Sequence, residues 1–120
     1  MRGAQYVSGL NGEAAAEDYL LGQGMTCVAR RYRAEDGEVD LVMEDGDCVV
    51  FVEVKARPGS AAGSGFAAVT SAKQKRLAHA AMHFLVEREW MARQVRFDVV
   101  EITAFGLRHV RNAFMPGAWL

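Results

Sequence analysis

The stretch Gly37-Glu38-Val39-Asp40-Leu41-Val42-Met43-Glu44-Asp45-Gly46-Asp47-Cys48-Val49-Val50-Phe51-Val52-Glu53-Val54-Lys55-Ala56-Arg57 decides the fold. Two β-branched, alternating segments flank Glu44-Asp45-Gly46-Asp47, a turn signal that marks a β-hairpin. An even number of loop residues puts Asp40 and Glu53 on one face of that hairpin, opposite each other or one step diagonal. Side chains alternate with period two, so Glu38 and Lys55 share the face. The other face reads Val39, Leu41, Met43, Val50, Val52 and Val54, and is core. On the charged face, Val42, Val49 and Phe51 lie near the turn and are apolar. A helix is therefore expected to cover that end, leaving the charges at the rim of a covered sheet.

Like charges facing each other across strands lose roughly 0.2–1 kcal/mol where exposed, and more as the surroundings become drier. Protonation, a neighbouring cation or a bound divalent ion can offset the loss, and Lys55 supplies only one charge against two or three. Two carboxylates, a backbone carbonyl and water are hard oxygen ligands suited to magnesium or manganese. A divalent ion is the reading taken.

With 120 residues, 51% of them hydrophobic, residues 1–120 are expected to form one α/β domain. A formal net charge of −1 does not announce a nucleic-acid partner, although acidic metal ligands cancel part of any basic face. Cys27 and Cys48 lie in predicted strands without CxxC or Cys/His spacing, which argues against zinc and disulfide and for a reducing compartment. The start has no apolar stretch of signal-peptide length, and no run approaches a membrane span. A cytoplasmic protein without a membrane partner is expected.

The periodicity predicts a first helix over Ser8 to Gln23, ended by Gly22 and Gly24. Its inward stripe is Gly9, Gly12, Glu13, Ala16, Tyr19, Leu20 and Gln23. Glu13 is either a site acid or an acid favoured by the helix start. Met25 to Arg33 is a strand with a basic end, Arg30, Arg31 and Arg33, read as a charge-protected edge before a phosphate contact. The Gly- and Ser-rich loop from Arg57 to Gly65 leaves from the charged end of the hairpin, as a substrate flap or only a connection.

A second helix opens with a capping-box spacing, Ser71-Ala72-Lys73-Gln74, and runs to about Trp90. Gln74, Leu77, Ala78, Ala81, Phe84 and Leu85 form its core stripe. Lys73 and Gln74 point toward the sheet; Lys75 and Arg76 point away, beside a helix start that attracts anions. That first turn is either a phosphate contact or a solvated basic turn. His79 and His83 have zinc-like i, i+4 spacing but no third ligand. With Met82, Val86 and Trp90 they form a second stripe, which suggests a homodimer. Val95 to Ile102 is a strand in which Asp98 and Arg96 form a structural polar pair. Leu107 to Phe114 is a last strand, and Met115 to Leu120 is irregular.

The order helix, strand, hairpin, helix, strand resembles the PD-(D/E)XK nuclease superfamily, with a restriction-endonuclease-like α-β-β-β-α-β core and a mixed sheet flanked by helices. Within it the chain is most similar to the bacterial YraN family, related in fold to Holliday-junction resolvases. The residues carrying this are Gly12-Glu13, Gly37-Glu38-Val39-Asp40-Leu41-Val42, Phe51-Val52-Glu53-Val54-Lys55-Ala56-Arg57, Lys73-Gln74 and Arg96-Phe97-Asp98-Val99-Val100. The resemblance implies Asp40, Glu53 and the Val54 carbonyl as metal ligands. It also implies Lys55 as the group that orients or deprotonates the attacking water, and Glu13 as an extra acid. Gln74 is placed beside them in the catalytic set. Where the family usually has Arg-Asn before an aromatic residue, this chain has Arg30-Arg31-Tyr32.

The expected function is magnesium- or manganese-dependent hydrolysis of phosphodiester bonds in structured DNA. Arg31, Arg57, Lys73, Lys75 and Arg76 would contact the nucleic acid. Two rivals are a binding module of the same fold without turnover, and a structural or interaction protein whose Asp40, Glu53, Lys55 and Arg57 are a surface ion-pair cluster.

Overall fold

The computed structural model describes residues 9–57 and 69–116. They form helix α1 (Gly9–Gly22), strands β1 (Thr26–Ala34), β2 (Gly37–Asp45) and β3 (Cys48–Arg57), helix α2 (Ser71–Arg88), and strands β4 (Gln94–Thr103) and β5 (Gly106–Phe114). The strands make one sheet in the order β1-β2-β3-β4-β5. All neighbours are antiparallel except β3 and β4, which run parallel and are joined through α2. The Gly- and Ser-rich loop beyond Arg57 and the last four residues lie outside the described residues.

The hairpin at the centre turns through Gly46 and Asp47, with Asp45 paired to Cys48 and Gly46 at φ 61. That left-handed angle suits a residue without Cβ. The two-residue turn fixes the register Leu41↔Val52 and Val42↔Phe51, so Asp40 and Glu53 come next to each other at the open end.

Both faces of the sheet are covered. Val42, Val49, Phe51 and Phe97 pack beneath Leu77, Ala81, Phe84 and Leu85 of α2. Leu41, Met43, Val50, Val52, Val100 and Ile102 pack against Ala16 and Leu20 of α1. The short side chains Gly12 and Ala16 are buried, which lets α1 lie close to the strands. Gln23 is exposed rather than on the inward stripe, because α1 has already ended at Gly22.

Val39 corrects the sequence reading, since it packs in the α2-side cluster and not with Leu41 and Met43. The cause lies opposite it. Arg31 adopts φ 49, which reverses the alternation of β1. Arg30 reaches Glu17 on α1 at 2.6 Å, while Tyr32, two residues on, stacks edge-on to Phe84 of α2 at 5.1 Å. Val39 is the register partner of Tyr32 and turns with it. A left-handed conformation is one that asparagine tolerates and arginine does not prefer.

The start of α2 is also shifted by one residue from expectation. Thr70 is the N-cap, its hydroxyl oxygen accepting the Lys73 N–H at 3.2 Å. The extended conformation of Thr70 lets its side chain satisfy a donor that the helix leaves unpaired. Gly37 then lies against the helix so closely that a Cβ there would collide with the Arg76 carbonyl.

Candidate active site

Asp40 sits where β2 stops pairing with β3. The ladder pairs end at Leu41↔Val52, and beyond them the Asp40 carboxylate accepts the Val54 N–H at 2.8 Å. A side chain thus takes the place of the neighbouring strand's carbonyl, and the strands part around it. Glu38, Asp40, Glu53, Lys73 and Arg76 line the hollow of about 80 Å³ that results.

Glu53 is buried, and its Oε2 receives Lys55 Nζ at 3.1 Å and Lys73 Nζ at 3.4 Å. Lys55 lies two residues along the same strand; Lys73 comes from the first turn of α2. Burial, and then the nearby charge of Glu53, push the Asp40 carboxyl up to about 7, against the Val54 N–H that favours its anion. Glu13 is also raised, first by burial and further by Glu38 and Glu53, against the Arg31 guanidinium, which lies 3.4 Å from its Oε1. Clustered acids taken from water and incompletely neutralised are the pattern of sites that bind cations or move protons.

Glu13, Val54, Lys55, Ala56 and Arg57 line a second hollow of about 280 Å³ beside the first. Arg57 Nε is buried there without a hydrogen-bond partner among the described residues. Arg31, one of the expected nucleic-acid contacts, has a left-handed backbone and lies 3.4 Å from Glu13 Oε1. Arg76 was expected to point away; it lines the Asp40 hollow because the contact at Gly37 brings this turn of α2 onto the hairpin. Lys75 is exposed. Gln74 lies elsewhere, its Nε2 donating to the Val69 carbonyl at 3.3 Å while it lines an apolar hollow with Val99, Val110 and Phe114. His83 bonds the Tyr32 hydroxyl at 2.6 Å. Trp90 of the same expected stripe packs edge-on to Phe84 with Arg93 over its ring.

A second buried carboxylate was legible only in part. Asp98 is fully buried; it accepts from Arg96 Nε at 3.0 Å and Nη2 at 3.2 Å, and from the Asn112 N–H at 2.9 Å, and it lies 2.8 Å from His109 Nε2. The other ring nitrogen of His109 lies 3.3 Å from the Tyr19 hydroxyl of α1. Burial acts to raise Asp98, but the bonds from His109, Arg96 and Asn112 outweigh it and hold the carboxyl below its usual range. The sequence pairs Arg96 with Asp98; His109 and Tyr19 are too distant in the chain to be linked to them by any local pattern.

The donors at Asp40 and Glu53 suit a small hard cation. Among the described residues no three His, Cys, Asp or Glu side chains converge as an all-protein cage would require. Magnesium and manganese sites of this kind use one or two carboxylates and keep several waters. A hollow of about 80 Å³ leaves room for such water, each taking about 30 Å³.

Two helices against a mixed sheet, with paired carboxylates and a lysine where its central hairpin opens, define an α/β protein with a restriction-endonuclease-like core. Residues 12–102 match the model of the uncharacterised protein family UPF0102, and the chain belongs to that family. It is 44% identical over 108 residues to a UPF0102 protein of Saccharophagus degradans, covering 89% of this chain and 92% of that one. It is 44% identical over 112 residues to one of Herminiimonas arsenicoxydans, covering 93% and 90%, and 45% identical over 113 residues to one of Rhodococcus jostii, covering 88% and 94%. No helix of the described residues is long and apolar enough to cross a membrane.

Proposed function

We propose that the protein is a metal-dependent nuclease that hydrolyses phosphodiester bonds in structured DNA. The observation that carries this reading is the convergence of Asp40 and Glu53 on one hollow with the Lys55 ammonium 3.1 Å from Glu53. Asp40, Glu53 and the Val54 carbonyl would hold magnesium or manganese, which supplies charge neutralisation at phosphate and a more acidic bound water. Lys55 orients that water or the phosphate from the same strand face. Lys73, whose Nζ lies 3.4 Å from Glu53 Oε2, would be available to a phosphate oxygen once that carboxylate is otherwise engaged. Arg57 and Arg76 stand on either side as further phosphate contacts.

The test is cleavage of labelled duplex, flapped, single-stranded and four-way-junction DNA, with RNA counterparts, in magnesium, manganese or EDTA. Wild type should cut at least one substrate only with metal, and Asp40→Asn and Lys55→Ala should each lose about a hundredfold or more in rate. Cleavage that survives EDTA, or that both variants retain, overturns the reading.

A second reading, a nucleic-acid-binding module without turnover, is favoured by one feature: Glu53 is paired with two ammonium groups, Lys55 and Lys73. Binding that is tight, salt-dependent and unaccompanied by product under every metal condition would establish it.

A further inference from the structure

The turn between β4 and β5 carries a side chain that folding does not explain. Ala104 and Phe105 form a two-residue turn between the paired Thr103 and Gly106. Phe105 is 81% exposed, the only mostly exposed aromatic ring among the described residues. The turn itself is well fixed. The Phe105 N–H donates to Thr103 Oγ1 at 3.1 Å, and Gly106 takes φ 131, which glycine adopts without strain. Neither feature needs a ring at position 105.

The position of this turn is set by the parallel pairing of β3 with β4. Glu53 pairs with Val99, Lys55 with Glu101 and Arg57 with Thr103. Phe105 therefore stands past the end of β4, at the same end of the sheet as Glu53, Lys55 and Arg57. Four residues of extended strand carry Val99 to Thr103, ~13 Å at ~3.3 Å per residue, and the turn that holds Phe105 lies just past that end. Stacked nucleotides advance ~3.4 Å per step along a strand, so about four or five of them span that gap. Between the two points lie Lys55 and Arg57, the latter with a buried N–H lacking a partner among the described residues.

We propose that Phe105 is a stacking platform for an unpaired base, so that the preferred substrate carries a single-stranded segment beside the bond held at Asp40 and Glu53. This rests on the nuclease reading above. An aromatic face accepts any base, whereas a base within a duplex is already stacked on its neighbours and has no face to offer. Cations along the path attract the backbone and fix where the strand runs; the ring distinguishes unpaired from paired nucleic acid. Phe105 is a specificity-determining contact distant from the reacting atoms.

The test is fluorescence anisotropy with calcium in place of magnesium, so that binding is read without cleavage. The probes are a blunt duplex and the same duplex with a single-stranded tail of about ten nucleotides, carrying 2-aminopurine about four or five nucleotides from the junction. Phe105→Ala should weaken binding to the tailed DNA by roughly ten- to a hundredfold while leaving the blunt duplex unchanged. Phe105→Trp should restore it, and stacking on the ring should change the 2-aminopurine emission of wild type and of Phe105→Trp only. An unchanged thermal midpoint in Phe105→Ala, expected for so exposed a ring, separates lost contact from lost structure. Equal affinity of wild type and Phe105→Ala for both probes, or equal losses on both, overturns the stacking role and leaves the nuclease reading standing. Failure of wild type to bind the tailed probe also overturns the stacking role, while the nuclease reading stands or falls on the cleavage test across branched and unbranched substrates.

Discussion

Asp40 on β2 and Asp98 on β4 stand on the two strands that flank β3, both drawn out of water, yet their surroundings move them in opposite directions. Asp98 has donors on both oxygens and titrates low; among the described residues Asp40 has one backbone N–H donor and an acid for a neighbour, and it is pushed up to about 7. The pair shows that burial alone does not mark a functional carboxylate. An anion whose hydrogen bonds are complete is a fastener. One that is buried, crowded and incompletely paired has a place left for something else.

The largest effect expected from breaking this comparison is at Asp98. Asp98→Ala leaves Arg96 and His109 buried beside an uncompensated gap, and should cost about 3–5 kcal/mol in urea unfolding. Asp40→Asn keeps an acceptor for the Val54 N–H and removes a repulsion, so in EDTA it should be neutral or stabilising. A loss of stability at Asp40 like that at Asp98 would make the two sites equivalent and end the distinction.

Next in size is the pH dependence. Asp40 binds its proton more tightly folded than unfolded, so its contribution favours the folded state at low pH and is lost as pH rises from about 4 through about 7. In EDTA, wild type should lose about 1–3 kcal/mol between about pH 5 and about pH 8, and Asp40→Asn should lose less over the same window. Asp98 carries the opposite sign, with stability lost only as pH falls through its lowered value. Curves of identical slope for wild type and Asp40→Asn would sink this assignment.

Adding metal should sharpen the contrast further. Magnesium or manganese at about ten to a hundred times its dissociation constant raises stability by about 1.4–2.7 kcal/mol. A rise of the midpoint in wild type and none in Asp40→Asn is the expected pattern. The smallest effect is at Arg31. Arg31→Asn relieves a left-handed arginine while giving up an exposed pair with Glu13, for a net gain of about 0.5–1 kcal/mol measured by thermal melting.

The hairpin, the two helices and all five strands were legible because periodicity and turn chemistry act locally. Asp40, Glu53 and Lys55 were placed together for the same reason, since one two-residue turn sets their register. What was hidden came from contacts between distant segments. The reversal at Arg31 moves Val39 to the α2 face and sends a cation to Glu13. The close contact of Gly37 with the Arg76 carbonyl swings Arg76 into the hollow. Gln74 followed the core stripe as expected, but that stripe brings it to Val99 of β4 and to Val110 and Phe114 of β5, away from the acids. His109 meets Asp98 across a bulge between β4 and β5 that no pairwise spacing announces.

The parallel pairing of β3 with β4 has a consequence for the order of assembly. Its partners, from Cys48↔Gln94 onward, lie 46 residues apart, whereas the hairpin closes through two residues. Local closure is fast and distant closure slow. The carboxylates are thus expected to meet while the chain is still largely open, and the lysine of α2 to join them late. In stopped-flow refolding, Gly46→Val should slow folding, whereas Lys73→Ala should chiefly hasten unfolding. For an interval during its own synthesis the nascent protein carries its crowded acids uncovered, with only water and passing ions to separate them.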